Sequence, residues 1–476
     1  MVTAREGELP ARHAAVAAAF LACAIMLGGG GSPNPATELL LQLVFAIAAL
    51  AWLWLPLPAP GTWPRSRSAW LVCALVLAVP LAQLVPLPPA LWTGLGGQQD
   101  RAAALALIGR ADGWQPLSQA PSRTLAALLA MIPALFAFVA AAALDARGRQ
   151  WVMGAIAAMA LLTVLLGALQ LSLGPGAPYL YAENHRGVVT GFQANRNAAA
   201  DVLLIGMAAA AAFLVPSLGA KGFPAVSGRV IVSDRRAAGV VLTGWVAVLL
   251  VGTVLTASRT GIALVPLALL GVCAIVRPAL RDLGRLRLLP IAAAAAAMLL
   301  IGLGMAVGNT ALGEVADRFA FSGDFRRELW RDGWYATERA WPWGIGLGGA
   351  QYALIAAERL EILDPALPNR VHNDYLELAL EAGLAGLAAL AAVAALLVRL
   401  AWRAWGERPQ DRHLIACGAT ALLVVALHSL VDYPLRSMAL SCLVGAGAGM
   451  LVPAGRRIAP PGAAAGGSRA TMGEGT

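Results

Sequence analysis

Asn197 to Val215 reads NAAADVLLIGMAAAAAFLV, with Asp201 as its one ionisable residue. A helix of that length can cross a ~30 Å hydrocarbon core, which takes ~20 predominantly apolar residues. Similar runs lie on both sides of it. They are Ala14 to Gly29, Leu39 to Leu57, Trp70 to Leu87, Thr124 to Leu144, Trp151 to Leu173, Ala237 to Thr256, Gly261 to Val276, Leu288 to Val307, Gly383 to Val398, Leu414 to Leu430 and Ser437 to Val452. Each is bounded by Pro, Gly or Arg. The chain therefore reads as an all-α, polytopic integral membrane protein of about 12 transmembrane helices. Composition agrees: 59% of the 476 residues are hydrophobic and 13% charged, against about 25% charged in a soluble domain, so a soluble fold is excluded. Arg5 and Arg12 before the first run suggest a signal peptide, but the many later spans favour a retained anchor.

The net charge of +9 raises the question of nucleic acid, which the distribution of the charge answers. With the N-terminus inside, 21 of the 35 Lys and Arg fall in inner segments, mostly short loops, where the positive-inside rule holds best. Both termini are expected in the cytoplasm, and the basic balance records topology with no nucleic-acid partner. Cys23, Cys73, Cys273, Cys417 and Cys442 all sit inside expected spans without metal-type spacing, and read as apolar fillers.

Three outward connections are long: Val85 to Arg123, Gly174 to Arg196 and Gly308 to Ala382. Loops of this length are usually functional. The last carries its own helical periodicity around Phe325, Leu329, Trp330 and Trp334, and reads as a partly helical periplasmic cap. The expected organisation is N-terminal membrane helices over 1–180, a membrane core over 181–453 that includes loop 308–382, and a disordered cytoplasmic tail over 454–476.

The polar residues gather on the outward side. Thr256 to Gly261, TASRTG, makes a tight turn in which Arg259 either snorkels to headgroups or, with Ser258 and Thr260, offers donors to a phosphate. Phe325 to Arg331, FRRELWR, is either a solvated amphipathic helix or an anion site. Pro342 to Gly349, PWGIGLGG, lacks the preceding strand of a nucleotide loop and reads as a flexible hinge. In Val371 to Glu377, VHNDYLE, Asp374 and Glu377 have capping-box spacing, which places His372 just before a helix N-terminus, where anions are favoured.

Two smaller groups are candidate glycan or acceptor contacts. The first is Asn184, His185 and Arg186 with Asn195, Arg196 and Asn197; the second is His428, Ser429, Asp432, Tyr433 and Arg436. His428 and Asp432 stand at i, i+4, which suits a His oriented by a carboxylate or a structural bond. No cluster has convincing metal spacing. The span interiors are nearly free of ionisable groups, which weighs against an ion-coupled transporter.

Taken together, SRTG, Arg326 four residues before Trp330, PWGIGLGG, HNDYLELALEAGLAGL and HSLVDYPLR resemble the O-antigen ligase and Wzy-type polymerase family of bacterial envelope glycosyltransferases. The resemblance runs from Tyr181 to Pro453. It implies a GT-C-type enzyme of the inner membrane, without metal or other cofactor, whose donor is an undecaprenyl-pyrophosphate-linked oligosaccharide. The implied acceptor is a growing glycan or lipid A core, and a chain-length regulator is a further implied partner. By matched position, Arg259 and Arg326 hold the pyrophosphate and His372 promotes attack by the acceptor hydroxyl. Arg327 competes with Arg326 for its role.

Alternatives are a protein O-oligosaccharyltransferase, a lipid or solute transporter, and a peptidoglycan polymerase. The last would carry an acidic loop motif that is not evident here. HSLVDYPLR leans the reading towards exopolysaccharide polymerases over ligases.

Overall fold

The computed structural model describes residues 9–30, 35–55, 66–182, 185–218, 235–280, 325–359 and 367–453. The membrane helices are α1 (Leu9–Leu27), α2 (Pro35–Trp54), α3 (Arg67–Leu84), α6 (Pro121–Ala143), α7 (Ala146–Leu173), α8 (Arg196–Leu218), α9 (Arg235–Leu255), α10 (Arg259–Leu280), α13 (Asp374–Glu407), α14 (Arg412–His428) and α15 (Met438–Met450). Among the described residues, nine helices are long and apolar enough to cross a membrane, and the helices over Ala11–Leu27 and Met438–Met450 are shorter apolar ones. The expected span Leu288 to Val307, the start of the cap and the tail lie outside the described residues.

The helix that opened the sequence reading is the axis of the bundle. Window for window, α8 is 94% buried. It packs against α7, α9, α10 and α14. Its alanines allow this, because packing between helices in lipid depends on close approach of small side chains. Gly252 of α9 and Gly261 of α10 likewise sit where a Cβ would run into Val164 and Ala200. Gly445 and Gly449, one turn apart on α15, lie against the backbone carbonyls of Ala134 and Phe138 on α6. Outward faces remain apolar, with Leu43, Ile47 and Leu50 on α2 and Leu384, Leu390 and Val398 on α13 exposed.

One end of the bundle is closed by Arg149. Its guanidinium is buried and donates to the carbonyls of Ala141 (3.0 Å), Ala142 (3.0 Å), Leu144 (3.1 Å), Met450 (3.2 Å) and Val452 (2.9 Å). These are the orphan carbonyls at the C-termini of α6 and α15, where a cation is favoured by the helix dipole.

The opposite end carries the extramembrane structure. A two-stranded ribbon, β1 (Pro86–Leu87) paired antiparallel with β2 (Gln115–Pro116), brackets α4 (Pro89–Trp92) and α5 (Gln99–Leu107). The cap contributes α11 (Phe325–Ala340) and α12 (Ala350–Ala357). Between them, the glycine-rich PWGIGLGG stretch is a closely packed turn where a hinge was expected. Gly344 (φ +75°), Gly346 (φ +102°) and Gly348 (φ +80°) press against Glu381, Ser118 and Arg123, with no room for a side chain. The Ile345 carbonyl accepts from Gln119 N–H at 2.8 Å, and Leu347 N–H donates to Gln83 at 3.0 Å.

Helix α13 is broken at Gly383 (φ +56°), where a Cβ would strike the Pro342 carbonyl, and Leu384 N–H donates to that same carbonyl at 2.9 Å. The break separates a short segment beginning at Asp374 from the membrane stem.

Candidate functional site

Four helix ends meet at this pole: the N-termini of α8, α10 and α13 and the C-terminus of α14. Helix α13 begins one residue earlier than the capping-box reading had it. Asn373 is the N-cap, its side chain accepting from Tyr375 N–H and Leu376 N–H, both at 3.0 Å. Glu377 reaches back to accept from Val371 N–H at 3.1 Å and from Arg370 at 2.9 Å. Asp374 is buried and accepts from Ser429 (2.9 Å) and from Leu435 N–H (3.2 Å). The residue before the cap is His372, in the left-handed region at φ +57°.

His372 is held on several sides. Its Nδ1 lies 3.0 Å from Asp432 Oδ1. Its carbonyl accepts from Trp330 Nε1 at 3.2 Å, which ties it to α11. Its ring packs edge-on to Tyr433, 4.7 Å between centroids. With Nδ1–H donated to a carboxylate, Nε2 becomes the basic nitrogen. Burial raises the Asp432 carboxyl. The bond and charge of His372, the charge of His428 and the Asn197 amide outweigh it and hold the group below the ordinary carboxylate value.

The i, i+4 pairing expected between His428 and Asp432 is not formed. His428 Nδ1 instead lies 2.7 Å from Asp201 Oδ1 on α8, and Asp432 serves His372. A residue four positions past the end of a helix does not continue its face, so the spacing misleads here. Asp201 Oδ2 and His428 Nε2 have no hydrogen-bond partner among the described residues. They line a small cavity with Asn195, Asn197, Asp432 and Tyr433.

Asn197, an expected glycan contact, bonds to two other side chains of the site. Its Nδ2 donates to Asp432 Oδ2 and its Oδ1 accepts from Ser258 Oγ at 2.8 Å. Arg436 is drawn inward as well, with its guanidinium 2.8 Å from Glu381, 3.1 Å from Glu377 and 3.8 Å from Asp374. Burial lowers its proton affinity, but Glu381, Glu377 and Asp374 raise it further, for a net increase. The sequence reading missed these three carboxylates as partners. Their signal was available: 374, 377 and 381 fall on one helical face.

Arg259 is exposed at the first turn of α10, and on α11 Arg326 is half-buried while Arg327 is exposed. Arg326 lies near enough to His428 to act on it electrostatically. Arg186 stacks over Tyr179 at 5.5 Å, and Arg196 uses its backbone N–H to reach His185 Nδ1 at 3.3 Å. Asn184 lies outside the described residues.

Residues 244–391 match a family model described as O-antigen ligase. This span contains Arg259, Arg326 and His372 but not Asn197, Asp432 or Arg436. No curated protein matches the chain.

Proposed function

We propose, from the match of residues 244–391 to a family model described as O-antigen ligase, that the protein transfers an undecaprenyl-pyrophosphate-linked glycan to an acceptor sugar hydroxyl at the periplasmic face of the inner membrane. The observation that carries this reading is the His372–Asp432 pair at 3.0 Å beside the N-terminus of α13. The acceptor hydroxyl approaches His372 Nε2, which removes its proton as the oxygen attacks the anomeric carbon. The bond from that carbon to the pyrophosphate oxygen breaks, and the configuration inverts. Arg259 and Arg326 meet the charge that builds on the leaving diphosphate, guanidinium forks being matched to phosphate oxygens.

The same chemistry serves a polymerase that joins repeat units and a ligase that acts on lipid A core. The test is purified protein with an undecaprenyl-pyrophosphate oligosaccharide and either acceptor, with and without EDTA. Transfer that persists in EDTA supports the reading, and the acceptor consumed separates polymerase from ligase. Loss of transfer in EDTA alone sinks the metal-free route.

A further inference from the structure

Two residues outside the matched family segment or outside its expected roles lie on one continuous chain of hydrogen bonds. Ser258 Oγ accepts from Gly261 N–H at 3.1 Å and donates to Asn197 Oδ1 at 2.8 Å; Asn197 Nδ2 donates to Asp432 Oδ2; Asp432 Oδ1 pairs with His372 Nδ1 at 3.0 Å. The chain crosses from the turn before α10, through the first turn of α8, to the loop after α14 and the residue before the N-cap of α13. Ser258 is fully buried, and Asp432 is 3% exposed, so little water competes for these bonds.

The backbone points to the same chain. Among the described residues, two non-glycine positions have positive φ: Ala257 at +54° and His372 at +57°. One precedes Ser258 and the other is the far end of the chain. Left-handed backbone at non-glycine residues is unfavourable and persists where the surroundings over-determine it, often at functional sites.

Each link removes a freedom that the next would otherwise have. The hydroxyl proton of Ser258 points at Asn197, so this side chain is turned away from any incoming anion. The Asp432 carboxylate, which can only accept, turns the Asn197 amide nitrogen towards itself and the oxygen towards Ser258, and the hydroxyl holds that oxygen in place. The amide nitrogen in turn fixes the rotation of the Asp432 carboxylate, leaving Oδ1 aimed at His372. We infer that Asn197 and Ser258 are positioning residues for His372: through Asp432 they set the orientation of the base, and they anchor it to the turn that carries Arg259. The inference rests on the proposed role of His372 as base. It assigns Ser258 to the acceptor half of the reaction and removes it from the diphosphate contacts.

The experiment measures donor binding, donor KM and kcat for glycan transfer in the full-length protein. The variants are Asn197→Ala, Ser258→Ala, Asp432→Ala, His372→Ala and the two doubles that combine Asp432→Ala with Asn197→Ala or Ser258→Ala. Expected is a fall in kcat of ~10 to 100-fold for Asn197→Ala, the range that outer hydrogen-bond partners carry at other sites. A smaller fall is expected for Ser258→Ala, with donor binding unchanged in both. In the Asp432→Ala background, which keeps the imidazole and a measurable rate, neither substitution costs more. Losses that multiply in the doubles overturn the inference, since they describe residues acting independently. So does weaker donor binding by Ser258→Ala, which returns the hydroxyl to the diphosphate. Full transfer by His372→Ala is a different result: it removes the base and with it the reading on which the inference stands.

Discussion

His428 Nδ1 and Asp201 Oδ1 lie 2.7 Å apart between α14 and α8, with side-chain exposures of 1% and 0%. Apart from their mutual bond, each presents an unsatisfied polar atom to a small cavity. Taking one partner away leaves the other buried without compensation. Asp201→Ala and His428→Ala are each expected to destabilise the protein by about 1–3 kcal/mol, read as a lower unfolding midpoint in detergent. The double Asp201→Leu/His428→Leu is expected to recover part of that loss. A double that loses the sum of the singles contradicts the pairing.

Donor affinity is the expected readout for the three arginines. Arg259→Ala and Arg326→Ala are each expected to weaken binding of the lipid-linked pyrophosphate, by about 2–5 kcal/mol where the bound diphosphate desolvates the contact. Lys at either position rescues in part, because an ammonium lacks the bidentate fork. Arg326 is half-buried, whereas Arg327 is exposed, so Arg327→Ala is expected to cost the smaller amount. Binding like wild type in both Arg259→Ala and Arg326→Ala would return these side chains to snorkelling.

Turnover, not affinity, is what the proposed role of His372 puts at stake. His372→Ala is expected to leave donor binding near normal and cut transfer by ~10² to 10⁴. Single-turnover rates at saturating donor, compared at equal expression, measure this directly.

The convergence around His372 was only half visible in the residue pattern. SRTG, HND and the His428–Arg436 stretch could be recognised as polar islands because each interrupts an apolar run. Which island bonds to which is decided by helix packing, and packing is not written in local spacing. His428 and Asp432 look paired on a helical wheel, yet the helix ends at His428 and Asp432 turns to His372. Arg436 looked available for the same reason, its partners being 55 and more residues earlier in the chain. The membrane spans were legible because hydrophobic run length is a one-dimensional property. The closely packed PWGIGLGG turn was not, since glycine permits both a hinge and a tight contact.

Acid should unmask Asp432. Its carboxyl is held below the ordinary value, so the folded state is favoured by its ionised form above about pH 3.9 and loses that advantage as pH falls through the depressed value. The stability difference between wild type and Asp432→Asn is expected to shrink as pH falls below about 4. Unfolding midpoints across that range provide the test; a gap that widens in acid contradicts the sign.

The orientation expected from the charge distribution, with 21 of the 35 Lys and Arg assigned to inner segments, can be tested directly. Periplasm-only reporters fused within 308–382 are expected to be active, and a fusion after Arg285 silent. The opposite pattern would place the His372 end of the bundle in the cytoplasm.

The Arg149 clasp restricts where the protein can be handled. Two of its five carbonyl partners belong to Met450 and Val452, the last residues before the described chain stops at Pro453. An affinity tag or reporter joined at Leu451 or earlier replaces the segment that holds the Val452 carbonyl against a buried guanidinium, and is expected to loosen the ends of α6 and α15 together. Such a fusion would report on a damaged bundle, and a silent reporter there would be mistaken for topology. Junctions placed beyond Pro453 keep every acceptor, and are the ones from which loss of signal can be interpreted.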